Sequence, residues 1–196
     1  HDYAGGWDDL EHRTIRMIGD PEARYREDPV RMLRAVRFAT KLEFSIEPNT
    51  EEPIQRLAHL LRDIPAARLF EEVLKLFMSG QGEATFLMLR RYNLFEALFP
   101  STHNYLNKDQ GKQAEQLIIQ ALRSTDTRIK QGKSVTPAFL YAAMLWYPLL
   151  EILERLKKQG VPPIPALHQA ALEIHQLQSR ASSIPRRFSG SMRDIW

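Results

Sequence analysis

From Pro21 onward, apolar residues recur at intervals of three and four, the spacing that lines one face of an α-helix. Asp28-Pro29 reads as a helix start, with Asp as N-cap and Pro at the first helical position. Met32, Leu33, Ala35, Val36, Phe38 and Ala39 supply an apolar surface as far as about Leu42. A second helix is expected to open at Asn49 or Thr50 and to end near Asp63. A third follows Ile64-Pro65 over 66–79, with Leu69, Phe70, Val73, Leu74, Leu76 and Phe77 at helical spacing and Gly80 closing it. The pattern then predicts a helix over about 83–92, a short apolar segment at 94–99 ended by Pro100, and a polar loop over 101–112. Further helices are expected near 112–123, 137–147, 149–159 and 164–179, with Val161 to Pro165 as a stiff connector. A last helix is expected to begin at Pro185 and to be still running at Trp196, as at a cut rather than a natural end.

The first nineteen residues read differently. Tyr3-Ala4-Gly5-Gly6-Trp7 carries a turn signal, and Thr14 to Ile18 alternates with β-branched residues, as a short strand does. A lone strand is not stable in water. It is expected to pair with something upstream that the chain does not contain. The fold class is all-α, a multi-helix domain with a short β remnant at the N-terminus.

Composition narrows the function classes. With 43% hydrophobic and 26% charged residues among 196, the chain is in the range of ordinary globular proteins rather than disordered or fibrous ones. The absence of Cys removes disulfides, thiolate zinc sites and a Cys nucleophile, and suits a reducing, cytoplasmic setting. The longest apolar run, Ala138 to Leu150, is thirteen residues with Pro148 inside it. A membrane span needs about 20, so this reads as a buried helix, and no signal or transit segment is read at the start. The net charge of +3 is unevenly spread. Residues 21–42 hold Arg24, Arg26, Arg31, Arg34, Arg37 and Lys41 against Glu22, Glu27 and Asp28. Residues 180–196 hold Arg180, Arg186, Arg187 and Arg193 against Asp194, and the rest of the chain is net negative. Clustered Arg points to a polyanionic partner; the plain alternative is two solvated helix faces. Pro185-Arg186-Arg187 puts cations at an expected helix start, a mismatch with the helix dipole that a bound phosphate would relieve.

The candidate chemistry lies around Asp28. Asp28 and Arg31 are three apart and share one face of the helix start; Arg34 continues it. An Asp acceptor beside an Arg donor matches the amino group and adjacent ring nitrogen that adenine and cytosine present. Guanine and uracil offer the opposite order and would leave buried polar groups unpaired. The same residues also suit an ordinary N-cap and a surface ion pair. The six His show one pair at helical spacing, His168 and His175, with no carboxylate in register, so no metal site is read. Trp146 and Tyr147 lie in an apolar run and read as core.

The stretch Ile18 to Phe38, with Arg24, Glu27-Asp28-Pro29, Arg31, Arg34-Ala35 and Arg37-Phe38, resembles the neck motif of the bacterial poly(A) polymerase and tRNA CCA-adding family. Tyr3 to Gly19 resembles the end of that family's catalytic head. Asp63 to Glu72 is similar to the following neck helix, and Pro137 to Leu149 to a body segment of the poly(A) polymerase branch. The resemblance implies three regions: 1–20 as the end of the head, 21–80 as neck, and 81–196 as helical body. It implies base contacts for Asp28 and Arg31, with Arg24 and Arg34 as helpers near the nucleotide, while Arg68 and Glu72 brace the first neck helix. Arg186, Arg187, Arg193, Arg26 and Lys41 are the expected RNA contacts. The implied reaction adds AMP from ATP to RNA 3′ ends; a CCA-adding enzyme and a non-catalytic helical RNA-binding module are the alternatives. The head's Gly-Ser turn and paired carboxylates, which hold Mg²⁺ in the family, are not found in this sequence. No catalytic residue is therefore assigned here, and the chain alone is expected to be inactive.

Overall fold

The computed structural model describes residues 5–196, so the reading of Tyr3 and Ala4 lies outside the described residues. The chain opens with α1 (Gly6–Glu11), β1 (Thr14–Ile15), α2 (Pro21–Glu27), α3 (Val30–Leu42) and β2 (Ser45–Ile46). It continues with α4 (Pro48–Leu57), a 3-10 turn (Ala58–Asp63), α5 (Ala66–Phe77), α6 (Gly82–Arg91), α7 (Phe95–Leu98) and α8 (Pro100–Leu106). The long helices α9 (Gly111–Lys130), α10 (Pro137–Lys158) and α11 (Pro163–Ala181) follow, then a 3-10 turn (Arg186–Phe188) and α12 (Ser189–Ile195). The all-α class holds, with two very short strands.

The apolar face expected of α3 is the buried one: Met32, Leu33, Ala35, Val36 and Ala39 are inside, while Phe38 is exposed. The face of α5 built from Leu69, Phe70, Val73, Leu76 and Phe77 meets it in one continuous core that runs on through Phe86, Phe95, Phe99 and Tyr141. Stacked and edge-on rings join Phe77, Phe99, Phe95 and Phe86 across that core. Tyr25 of α2 is buried, and its hydroxyl donates to the Thr50 carbonyl at 2.9 Å, tying α2 to α4. Burial pushes the Tyr25 phenol far up, so it stays a donor.

Five expectations are corrected. The strand near Thr14 finds its partner inside the chain, not upstream: β1 pairs in parallel with β2, Thr14 opposite Ser45 and Ile15 opposite Ile46. Glu43, at φ 55°, ends α3 and lets the chain return for that pairing. The second helix opens at Pro48, and its N-cap is Glu47, whose Oε2 accepts the Thr50 amide at 2.9 Å. The polar stretch after Pro100 is helical through Leu106, because its buried residues Thr102 and Leu106 face the core while the polar ones face water. The two helices expected on either side of Pro148 are a single one, α10. Proline has no N–H, so the Met144 carbonyl four residues back loses its helical partner. The buried Thr102 hydroxyl replaces it, donating to the Met144 oxygen at 2.8 Å. At the other end, the helix expected from Pro185 is only a three-residue 3-10 turn followed by α12, so the dipole argument for Arg186 and Arg187 lapses.

Candidate functional site

The corner between α2 and α3 is built by local chemistry. Asp20 caps α2, its Oδ2 accepting the Ala23 amide at 2.8 Å, with Pro21 at the first helical position. α2 stops at Asp28, whose extended backbone precedes Pro29. The helical turn restarts at once, and the Asp28 Oδ1 meets the first amide of α3, that of Val30, at 3.2 Å. The expectation of Asp28 as N-cap is thus corrected: the N-cap of α3 is Pro29, the helix begins at Val30, and Asp28 ends α2 while its carboxylate holds the Val30 amide.

Asp28 and Arg31 lie one turn apart but do not bond to each other; each has its own anchor. The Asp28 Oδ2 accepts from Arg68 Nη2 of α5 at 2.7 Å. Arg31 Nη1 donates to the Arg24 carbonyl at 3.0 Å and to Glu27 Oε2 at 2.8 Å. Arg24 Nη1 donates to the same Glu27 oxygen at 2.8 Å. Glu27 thus gathers both arginines, and its own carboxyl is held below the ordinary range by the Arg31 hydrogen bond foremost. Burial pushes the Asp28 carboxyl up, but the Arg68 guanidinium, the Val30 amide and the nearby Arg34 charge outweigh it, and its pKa is lowered. Asp28 is therefore a carboxylate at neutral pH.

The anchors leave capacity on both side chains. Both hydrogens of Arg31 Nη1 are used, while Nε and Nη2 have no partner among the described residues. Each Asp28 oxygen holds one hydrogen bond and has a second lone pair. A planar group with a donor beside an acceptor fits these open positions. Arg34 is exposed and carries no ion pair among the described residues, so its charge is open to an anion.

The remaining sequence-derived residues divide. Arg26 is engaged by Glu22 at 2.8 Å, and Glu22 also holds Arg56 at 2.8 Å. The Arg56 and Arg26 hydrogen bonds bring Glu22 down to about 2. Lys41 is exposed on α3 with no ion pair among the described residues. Arg186, Arg187 and Arg193 are likewise exposed and unpaired there, with Arg187 stacked over the Phe188 ring at 4.9 Å. Phe188 packs on Phe70 of α5, and the Ser183 amide donates to the Ala66 carbonyl at 3.0 Å. Arg186 and Arg187 are thus carried to the start of α5, the helix that supplies Arg68. Arg68, expected to brace the helix that follows Asp28, does reach Asp28 at the start of α3. Glu72 does not: it is buried and bonds Lys75 of its own helix at 2.9 Å. Glu27, missed as a functional residue, stands three after Arg24 and four before Arg31, a helical spacing that marks it. Arg68, 40 positions from Asp28, has no such local signal.

Residues 43–106 match a family model described as the probable RNA and SrmB-binding site of polymerase A. Residues 159–196 match another, described as the polymerase A arginine-rich C-terminus. Along all 196 residues the chain is 50% identical to poly(A) polymerase I of Salmonella typhimurium and to that of Escherichia coli O6:H1. It spans 42% of the length of each. The CCA-adding enzyme of Bacillus subtilis is 36% identical over 112 residues, 56% of this chain and 28% of that protein. Among solved structures, the Bacillus stearothermophilus CCA-adding enzyme in complex with CTP is similar at a TM-score of 0.48 and 21% identity, over 99% of this chain and 53% of that one. With two polymerase A models matched and half of its residues identical from end to end, the chain belongs to the bacterial poly(A) polymerase family.

Proposed function

We propose that this chain is the nucleotide-selecting and RNA-holding part, neck and body, of a longer cytoplasmic polypeptide that adds AMP from ATP to RNA 3′ ends and releases pyrophosphate. The neck takes residues 21–80 and the body 81–196, with 1–20 as the end of the head. The observation that carries this reading is the pair of anchored but unspent groups, Asp28 and Arg31. Adenine's amino group donates to Asp28, and its ring nitrogen accepts from Arg31 Nε or Nη2; no existing anchor has to break. Because Asp28 stays ionised at neutral pH, it accepts only, and a base presenting a carbonyl there is refused. Arg24 and Arg34 stand beside the pair for the triphosphate. Lys41, Arg186, Arg187 and Arg193 take RNA phosphates without reading sequence. Among the described residues no group of three His, Asp or Glu is placed to hold a metal ion. The resemblance assigns the Mg²⁺ of this chemistry to the head's own carboxylates, and no step here passes through it.

Cytosine presents the same edge as adenine, so the neck alone does not separate poly(A) from CCA addition. End-to-end identity with poly(A) polymerases, against 56% coverage by a CCA-adding relative, favours AMP. The test is a tailing assay on the full-length polypeptide with ATP or CTP and an RNA primer. Asp28→Ala and Arg31→Ala are expected to lower kcat/KM for ATP by about 10-fold to over 100-fold, the loss of one charged hydrogen bond, with RNA affinity unchanged. Normal ATP kinetics in both variants would reduce Asp28 to a helix start. No nucleotide addition by the intact polypeptide would leave a helical RNA-binding module.

A further inference from the structure

A column of flat groups runs from the core to the surface beside α5. The rings of Phe99 and Tyr141 are 5.4 Å apart, those of Tyr141 and Phe70 5.7 Å, and those of Phe70 and Phe188 6.2 Å. The Arg187 guanidinium lies over Phe188 at 4.9 Å. Phe99, Tyr141 and Phe70 are buried, Phe188 is partly buried and Arg187 is exposed. The column thus ends in a planar cation with its outer face toward water.

The segment that carries Arg187 is fixed by other groups. The Ser183 amide donates to the Ala66 carbonyl at 3.0 Å, Ser189 Oγ meets His175 Nε2 at 2.9 Å, and Ile184 and Met192 are buried on either side. Arg187 closes no ion pair among the described residues. Other cations lie over rings, but not in this way. Arg90, Arg91 and Lys108 are spent on Glu115, Glu51 and Glu151. Arg37 lies over Phe38, yet that ring is itself exposed and has no second ring behind it among the described residues. Arg187 joins a free charge, an open face and a ring held from behind by the core. An exposed cation over a ring is a weak contact by itself, so it does not explain why the charge is left unpaired.

We infer that Arg187 is a stacking platform for one unpaired base of the RNA, which lies flat on the outer face of the guanidinium as the next member of the column. Guanidinium planes stack on bases as aromatic rings do, and every base has such a face, so the platform takes any of the four. The occupant rests on the RNA-holding role proposed above and goes beyond it, since that role gives Arg187 a phosphate only. The two contacts are compatible: the N–H groups at the rim of the guanidinium reach a phosphate while its face holds a base. Inside a duplex both faces of a base are covered by its neighbours, so the platform favours single-stranded RNA. Because Phe188 and Phe70 already fix the plane, little freedom is lost when the base arrives.

The test compares Arg187→Lys with wild type in the full-length polypeptide, binding single-stranded oligoribonucleotides over a range of salt. Lysine keeps the charge and loses the plane. Affinity is expected to fall by about 5-fold or more, with the slope of log K against log salt unchanged because the phosphate contact survives, and with unchanged melting because Arg187 is exposed. Oligonucleotides lacking one base at successive positions locate the contact. At one position the missing base is expected to cost wild type the same factor and to cost Arg187→Lys nothing. Equal affinity of wild type and Arg187→Lys would overturn the inference, and so would a missing-base profile that is the same in both. A loss of ATP affinity in place of RNA affinity would overturn it too, since the platform would then hold the nucleotide. Wild type that binds no RNA would sink the RNA-holding role and the platform together, whereas RNA binding indifferent to Arg187→Lys sinks the platform alone.

Discussion

Replacing Arg68 with Ala tests whether the Asp28 carboxylate depends on a brace from α5. The Asp28–Arg68 contact is short, 2.7 Å, but the two side chains are 21% and 40% exposed. A buried charge-assisted hydrogen bond contributes about 1.5–3 kcal/mol, and a fully exposed ion pair about 0.2–1 kcal/mol. Partial exposure puts this contact near the lower of these ranges, about 1 kcal/mol after solvent screening. For a chain of this length that lowers the melting temperature by about 2–4 °C. The pH dependence identifies the cause. The folded-state pKa of Asp28 is depressed, so its contribution to stability is present above the unfolded carboxylate value of about 3.9 and is lost as pH falls through the folded value. Without Arg68, burial is opposed only by the Val30 amide and the Arg34 charge, so the Asp28 pKa rises. The gap between wild type and Arg68→Ala is therefore widest at neutral pH and closes on acidification below the ordinary carboxylate range. Melting curves across that pH range, with an NMR titration of the Asp28 carboxyl, measure both effects. A gap that does not vary with pH, or an Asp28 titration unmoved by the substitution, would refute the reasoning and leave Arg68 a packing residue.

Asp126 is buried on α9 and accepts the Gly82 and Glu83 amides at 2.7 and 3.1 Å, closing the start of α6. Asp126→Ala is expected to cost about 2 kcal/mol in denaturant unfolding, at the upper end for a lost cap because both amides are left short of a partner. Arg186→Ala with Arg187→Ala is expected to weaken binding to all single-stranded RNA alike and to reduce the slope of log K against log salt by about 1.4, two phosphate contacts' worth. An unchanged slope in a salt titration returns those arginines to the solvated surface and moves the RNA path to α3.

What could be read in the sequence was what local spacing encodes. α3 and α5 were legible because Met32, Leu33, Val36 and Leu69, Phe70, Val73 repeat at helical intervals. The start of α3 was legible to within two residues because Asp-Pro permits few backbone conformations, whereas α2 before it was not set apart as a helix of its own. Contacts that close over long separations were not. Local spacing gave no sign of Arg68, which reaches Asp28 across 40 positions and was marked only by the resemblance, nor of Thr14 meeting Ser45 across a whole helical excursion. In α8, Ser101, His103 and Asn104 masked a helix whose buried side is only Thr102 and Leu106. Arg26 looked like a free cation by charge count, yet Glu22 at helical spacing already held it.

The bond from Thr102 to the Met144 carbonyl carries an evolutionary consequence. Proline at position 148 is harmless only while a hydroxyl stands at position 102 to answer the carbonyl it orphans. The two positions are thus epistatic. Valine at 102 would leave a buried oxygen unpaired beside Pro148, at about 1–3 kcal/mol, whereas with alanine at 148 the helix would answer that oxygen itself and valine would be nearly free. A lineage that acquired the proline first would have crossed a destabilised intermediate. The threonine, tolerable on either background, is the substitution that opens the path, and reverting it after Pro148 is fixed is the step selection would oppose.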